Sequence, residues 1–178
     1  VSRRKLFPAS LRLAAVSCRE LLVSRRSVRN FQDRDVPDEV VREVLETARW
    51  APSARNAQPW RVVVVKNKEL LRRLGSVAPA AAPLSRCSVA FGVVVRPEEA
   101  PVTFLVDGAI LATYIWLSLH AHGLGGVWIN TLRRPEYAEL LGLQPSEVLV
   151  ALIAAGYPAE QPAPKPRKSV EELATWIR

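Results

Sequence analysis

Two rhythms of apolar residues run along the chain. Between residues 37 and 50, Val40, Val41, Val44, Leu45 and Ala48 recur at helical spacing, which predicts a helix with one buried face. Pro37 suits its first turn, and Asp38 and Glu39 favour its positive end. Residues 61–66 read Arg-Val-Val-Val-Val-Lys. That unbroken β-branched run predicts a strand covered on both faces and lying inside a sheet. Residues 88–96 and 148–155 give two more apolar strands, and residues 127–129 a shorter one. Residues 103–122 are apolar almost all round, the pattern of a central or subunit-interface helix, with Gly123 as its cap. Shorter helices are predicted at 19–23, at 68–74 with Gly75 as terminator, at 135–141 and, amphipathic, at 169–177. Pro79 and Pro83 exclude a long helix between them.

These elements assemble into one α+β domain over residues 18–178: a buried, four- or five-stranded mixed sheet flanked by helices. Residues 1–17 form a basic arm that is either disordered or draped over a partner subunit. Its apolar stretch is interrupted by Pro8 and Arg12, so an export signal is not expected. No run matches the roughly 20 apolar residues of a membrane span. The expectation is a soluble, cytoplasmic protein with no membrane partner.

Composition narrows the chemistry. The chain has 178 residues, enough for one core, and carries a net charge of +8. A basic balance suits either a solvated surface or anionic ligands. No nucleic-acid-binding motif is present and aromatics do not alternate with the basic residues, so no nucleic acid partner is expected. Cys18 and Cys87 lack metal-ligand spacing and read as free thiols, with no metal site. His120 and His122 sit at a predicted helix end, where they complement the dipole.

Two polar stretches stand out. Arg25-Arg26-Ser27-Val28-Arg29 crowds three guanidiniums and a hydroxyl into five residues. Guanidinium forks match the oxygens of a phosphate two at a time. The competing reading is surface ion pairing with Asp33, Asp35 and Glu39. Residues 51–60, Ala-Pro-Ser-Ala-Arg-Asn-Ala-Gln-Pro-Trp, form a polar loop with proline near both ends, so its Ser, Asn and Gln groups are held in place.

Arg-Arg-Ser-x-Arg-x-Phe, a helix, and then Ala-Pro-Ser-x-x-Asn-x-Gln-Pro-Trp resembles the front end of the FMN-dependent nitroreductase family. The resemblance continues through Gly123-Leu124-Gly125-Gly126 and Gly156-Tyr157-Pro158 to Lys165-Pro166-Arg167, about residues 18–178. It implies an intertwined homodimer with FMN at the interface. By that resemblance Arg25, Arg26, Ser27 and Arg29 meet the cofactor from one end of the chain, and Lys165 and Arg167 clamp its phosphate from the other. Pro52, Ser53, Ala54 and Asn56 border the flavin from the other subunit, and Gln58 helps hold that loop. Ile129, Asn130 and Thr131 match the stretch whose backbone lies along the flavin.

The implied activity is hydride transfer from NADH or NADPH through flavin N5 to an electron-poor acceptor, a nitroaromatic or quinone. No side chain is needed as a catalytic acid or base. Alternatives on the same scaffold are a specialised dehydrogenase, dehalogenase or flavin-modifying enzyme, and a non-catalytic flavin binder. One departure matters: residues 80–84 lack the Asn and Lys that many members place near the pyrimidine edge. Arg29 is then the nearest candidate charge for N1.

Overall fold

The computed structural model of the chain describes residues 17–132 and 134–178. The expectations for residues 1–16 lie outside the described residues. Helix α1 (Cys18–Ser24) opens on a capping box in which Ser17 and Glu20 bond each other's backbone N–H. It leads into the arginine cluster. Helix α2 (Asp38–Ala48) buries Val41, Val44 and Ala48, the predicted face. A 3₁₀ turn (Ala54–Asn56) lies in the polar loop before β1 (Trp60–Val65). Then follow α3 (Lys68–Ser76), a 3₁₀ stretch (Pro79–Arg86), β2 (Val89–Val95), α4 (Phe104–Ala121), β3 (Gly125–Asn130), α5 (Pro135–Leu141), β4 (Val148–Gly156) and α6 (Val170–Leu173).

The sheet order is β1-β2-β4-β3, and all three ladders are antiparallel. The parallel component of the expected mixed sheet is a single bridge, Ser27 to Gly126, which sets the arginine segment against the start of β3 before the chain crosses the sheet's end to bridge Phe31 to Pro158. Apolar side chains form a core on each face. One joins α2 and α4 to Val89, Phe91 and Val93; the other joins α3, the 3₁₀ stretch and α5 to Ala90, Val94 and Leu152. A bulge lets β4 slip one residue between its pairings to Val93 and Val94. Gly108 of α4 packs there. A Cβ on it would stand 2.7 Å from Val95 and 2.8 Å from Val150, so glycine is what lets the helix approach.

Four expectations need correction. β1 is an edge strand, not an interior one. Its valines divide between the two cores, Val62 on one side and Val63 and Val65 on the other. An unbroken apolar run reports covered faces and says nothing about whether both edges are paired. Gly75 does not end α3 but lies within it, where a Cβ would meet the Ser85 Oγ at 2.0 Å. Residues 79–86 are helical after all, as 3₁₀ turns that accommodate Pro83. The closing helix shrinks to one turn, α6, with Leu173, Trp176 and Ile177 exposed. An amphipathic segment that short has no stability without a surface to bury its apolar face.

Candidate functional site

A cleft of about 400 Å³ opens where the end of α4 meets the start of β3, lined by Arg25, Arg26, Trp116, His120, Gly125 and Gly126 among others. Val28 N–H bonds the Gly126 carbonyl at 3.0 Å, fixing the arginine segment against β3. Arg25 is half-buried, and its Nη1 is buried with no hydrogen-bond partner among the described residues. Burial pushes its guanidinium below the ordinary value, and the positive charges of Arg167 and Arg26 push the same way. A cation crowded by cations with an unsatisfied donor has the chemistry to receive an anion. The ion-pair reading of the cluster fares poorly, because Asp35 pairs with Lys66 at 3.2 Å and Asp33 with Lys68 at 3.8 Å.

Arg26 turns back on its own backbone, donating to the carbonyls of Val23 at 2.8 Å and Arg25 at 2.9 Å. His120 Nε2 lies 2.8 Å from the Ser24 hydroxyl. Burial and the charges of Arg25 and Arg26 hold its imidazole below the usual value. Ser27 is half-buried at the bridge to Gly126, and Arg29 is exposed. Lys165 and Arg167 are exposed on the tail, with Arg167 near enough to Arg25 to disfavour its charge.

Further along β3, about 17 Å from Gly125 at strand rise, are the remaining predicted residues. The Ile129 side chain is buried in the core. Asn130 accepts from Leu132 N–H at 3.1 Å, and Thr131 donates to the Leu149 carbonyl at 2.8 Å. Those side chains brace the chain, leaving the backbone as the group on offer.

The loop at residues 52–58 is built differently. Arg55, Asn56 and Gln58 all have positive φ, at 53°, 55° and 47°. Three non-glycine residues in the left-handed region store strain, and the surroundings must fix them. Ser53 Oγ accepts from Gln58 N–H at 3.0 Å, and Asn56 Oδ1 from Gln58 Nε2 at 3.2 Å. Ala54 N–H donates to Asp107 Oδ1 at 3.0 Å, and Thr103 donates to Asp107 Oδ2 at 2.7 Å. Pro52 is exposed beside them.

Asp107 is on the first turns of α4 and His120 on its last. At 1.5 Å per residue they stand roughly 20 Å apart. The fold therefore gathers Arg25, Arg26, Ser27 and Arg167 at the start of β3, holds Arg29 beside Glu160 at the sheet's end, sets residues 129–131 at the other end of β3, and leaves the 52–58 loop at the far end of α4.

Sequence reasoning passed over Asp107, Trp116 and Glu160. The first had a signal: it is the lone acidic residue in an apolar helix of 18 residues. Glu160 accepts from the backbone N–H groups of Arg29 at 2.6 Å and Asn30 at 3.1 Å, which hold its carboxyl below the usual range. Tail and arginine segment have no local pattern linking them, so that contact was not readable.

An antiparallel sheet between helical layers, with a cation-lined cleft at its edge, is the architecture of an α+β domain with room for an anionic small molecule. The family model described as the nitroreductase family matches residues 22–84 and 87–157. A Methanothermobacter thermautotrophicus protein provisionally named NADH dehydrogenase/NAD(P)H nitroreductase is 34% identical over 149 residues, 80% of this chain and 78% of its own. A nitroreductase-like structure from Desulfovibrio desulfuricans in complex with FMN superposes with TM-score 0.81 at 28% identity, covering 89% of this chain and 95% of that one. An FMN-dependent nitroreductase from Clostridium difficile gives TM-score 0.75 at 28% identity, covering 85% and 91%. The chain belongs to the nitroreductase family. The matched residues include the arginine segment and the 52–58 loop, whereas Lys165 and Arg167 lie beyond them.

Proposed function

We propose that this chain is an FMN-dependent NAD(P)H oxidoreductase whose flavin site is completed by a second copy of itself. The unpartnered Arg25 Nη1 in its cleft carries the reading. A flavin phosphate supplies the acceptor that this donor lacks and the negative charge that Arg25, Arg26 and Arg167 together call for. Lys165 adds a further cation from the tail. A cleft of about 400 Å³ falls within the usual range for cofactor pockets. When bound, FMN supplies hydride transfer through its N5, from NADH or NADPH to an electron-poor acceptor such as a nitroaromatic or quinone.

The chain's own work is binding and orientation. The bridge at Gly126 sets Arg25 at the start of β3, so a ligand anchored there and lying along the strand would reach the backbone of residues 129–131 at its other end. A backbone N–H there would be the donor to the flavin's N5, and Arg29 would supply positive charge toward its pyrimidine edge, which would favour the reduced ring.

A second copy accounts for two observations. The 52–58 loop is held in a strained shape roughly 20 Å from the cleft in its own chain, so Pro52, Ser53, Ala54, Asn56 and Gln58 serve a partner's site. The outer face of α4 exposes Leu105, Val106 and Tyr114. A homodimer covers that face.

The test is optical and anaerobic. Purified protein should be yellow, and NADH or NADPH should bleach its flavin band, with colour restored by a quinone. Sedimentation should give twice the chain mass. A colourless protein that takes up no FMN overturns the proposal.

A further inference from the structure

A buried guanidinium ordinarily has a carboxylate beside it. Arg25 has other cations instead, Arg167 and Arg26. Glu160 lines the same cleft, but its carboxylate is engaged with the N–H groups of Arg29 and Asn30. What lies against Arg25 is the indole of Trp116, its ring centroid 3.9 Å from Cζ.

The two ways of holding a guanidinium have different consequences. A carboxylate takes up the in-plane N–H donors and cancels the charge. An aromatic face meets the guanidinium plane from above, attracts the cation through its quadrupole and leaves the donor edges open. Arg25 is in the second state, stacked, with Nη1 unsatisfied. The indole is itself fixed, because Nε1–H donates to the Gly126 carbonyl at 2.9 Å. That carbonyl also accepts from Val28 N–H at 3.0 Å. Platform, β3 and arginine segment are thus registered on one oxygen.

We infer that Trp116 is a positioning residue for the phosphate clamp: its indole holds Arg25 in place, charged and with its donors free, for a phosphate monoester. The ligand class rests on the FMN reading above. The role of the indole is a separate claim about this chain, and it stands on the stacking and on the shared Gly126 carbonyl.

Equilibrium dialysis of the full chain against FMN and against riboflavin tests it, with Trp116→Leu and Trp116→Phe. Leucine removes the π face, and FMN should bind about tenfold more weakly while riboflavin changes less than about threefold. Phenylalanine keeps a π face but loses the bond that fixes it on the Gly126 carbonyl, so its loss of FMN affinity should fall between the parent chain and Trp116→Leu. Trp116→Met, which is longer and more adaptable, replaces the leucine variant should that one not fold. Equal loss of both flavins in Trp116→Leu would make the indole a packing residue only and overturn the inference. So would an unchanged FMN preference. A parent chain that itself fails to prefer FMN over riboflavin overturns the phosphate reading instead, so the two failures are distinguishable.

Discussion

The two ends of α4 carry opposite kinds of polar structure. At the His120 end, three arginines gather, one with a buried donor that nothing accepts from. At the Asp107 end, a buried carboxylate has a bond to each oxygen, and the loop it holds satisfies its own Ser, Asn and Gln groups. The cation cluster of the first region lacks a counter-charge, whereas the Asp107 carboxylate of the second is fully bonded and the strain there is conformational. Incompleteness of that sort points to a ligand, because an unmet buried donor costs about 1–3 kcal/mol until something accepts from it. Completeness bought with left-handed residues points to a shape being presented, since the strain has no use within the loop itself. On the proposal above, one end would bind the ligand and the other, fixed in advance, would be bound against.

Removing cations from the first region should have the largest effect. Arg25→Ala should weaken FMN by about tenfold to hundredfold and riboflavin far less, as befits charge-assisted bonds of about 1.5–3 kcal/mol. Arg167→Ala should follow at the lower end of that range, since Arg167 is exposed where Arg25 is half-buried. Equal losses for the two flavins would place neither residue at a phosphate.

Breaking the second region should read out first as stability. Asp107→Ala strands the Ala54 N–H and the Thr103 hydroxyl, and should lower unfolding free energy by about 2 kcal/mol in urea titration. Asp107→Asn keeps one acceptor oxygen and should cost about half as much. An Asp107→Ala chain of parental stability would mean the loop is held by other means.

A finer effect lies between the two regions. Arg29→Gln removes the charge nearest the proposed N1 position, so the midpoint potential of bound FMN should become more negative by spectroelectrochemical titration. Loss of affinity with an unchanged potential would move Arg29 to the phosphate.

The smallest effect serves as a control away from the cleft. Arg61 holds Glu147 with two bonds, 2.6 Å and 2.7 Å, and keeps its carboxyl down at about 2. A carboxyl depressed by folding adds stability above its ordinary value of 4.5 and loses it as pH falls through that value toward about 2. Glu147→Gln should cost about 1 kcal/mol at pH 7, flatten the acid limb of the stability profile in that window, and leave FMN affinity alone. A change in affinity would show that damage to the fold reaches the cleft, and would weaken every affinity comparison above.

What could be read in the sequence was local. The arginine cluster and the proline-bounded loop each lie within ten residues, and their types alone suggested an anion and a rigid turn. The helix faces of α2 and the apolar strands were legible for the same reason: periodicity needs only neighbours. What failed was long-range. Whether the valine run of β1 had one neighbour or two depended on strands far along the chain. Gly75 looked like a terminator because Ser85, which needs its bare backbone, comes from another element. The residues at 169–177 had a helical pattern but no surface in their own chain to make a helix worthwhile. Trp116 under Arg25 left no trace in spacing, whereas Asp107 did, as a lone acid in an apolar helix.

The account's central claim is that the cleft and the 52–58 loop are halves of one flavin site supplied by two chains. Differently tagged Arg25→Ala and Asp107→Ala chains, co-expressed and purified as the mixed dimer, test it directly. Each variant alone should bind FMN weakly. In the mixed dimer one site joins the intact cleft of the Asp107→Ala chain to the intact loop of the Arg25→Ala chain. The prediction is one site of parental affinity per mixed dimer by fluorescence titration. Two weak sites and no tight one would place cleft and loop in the same chain, or in no common site, and contradict the claim.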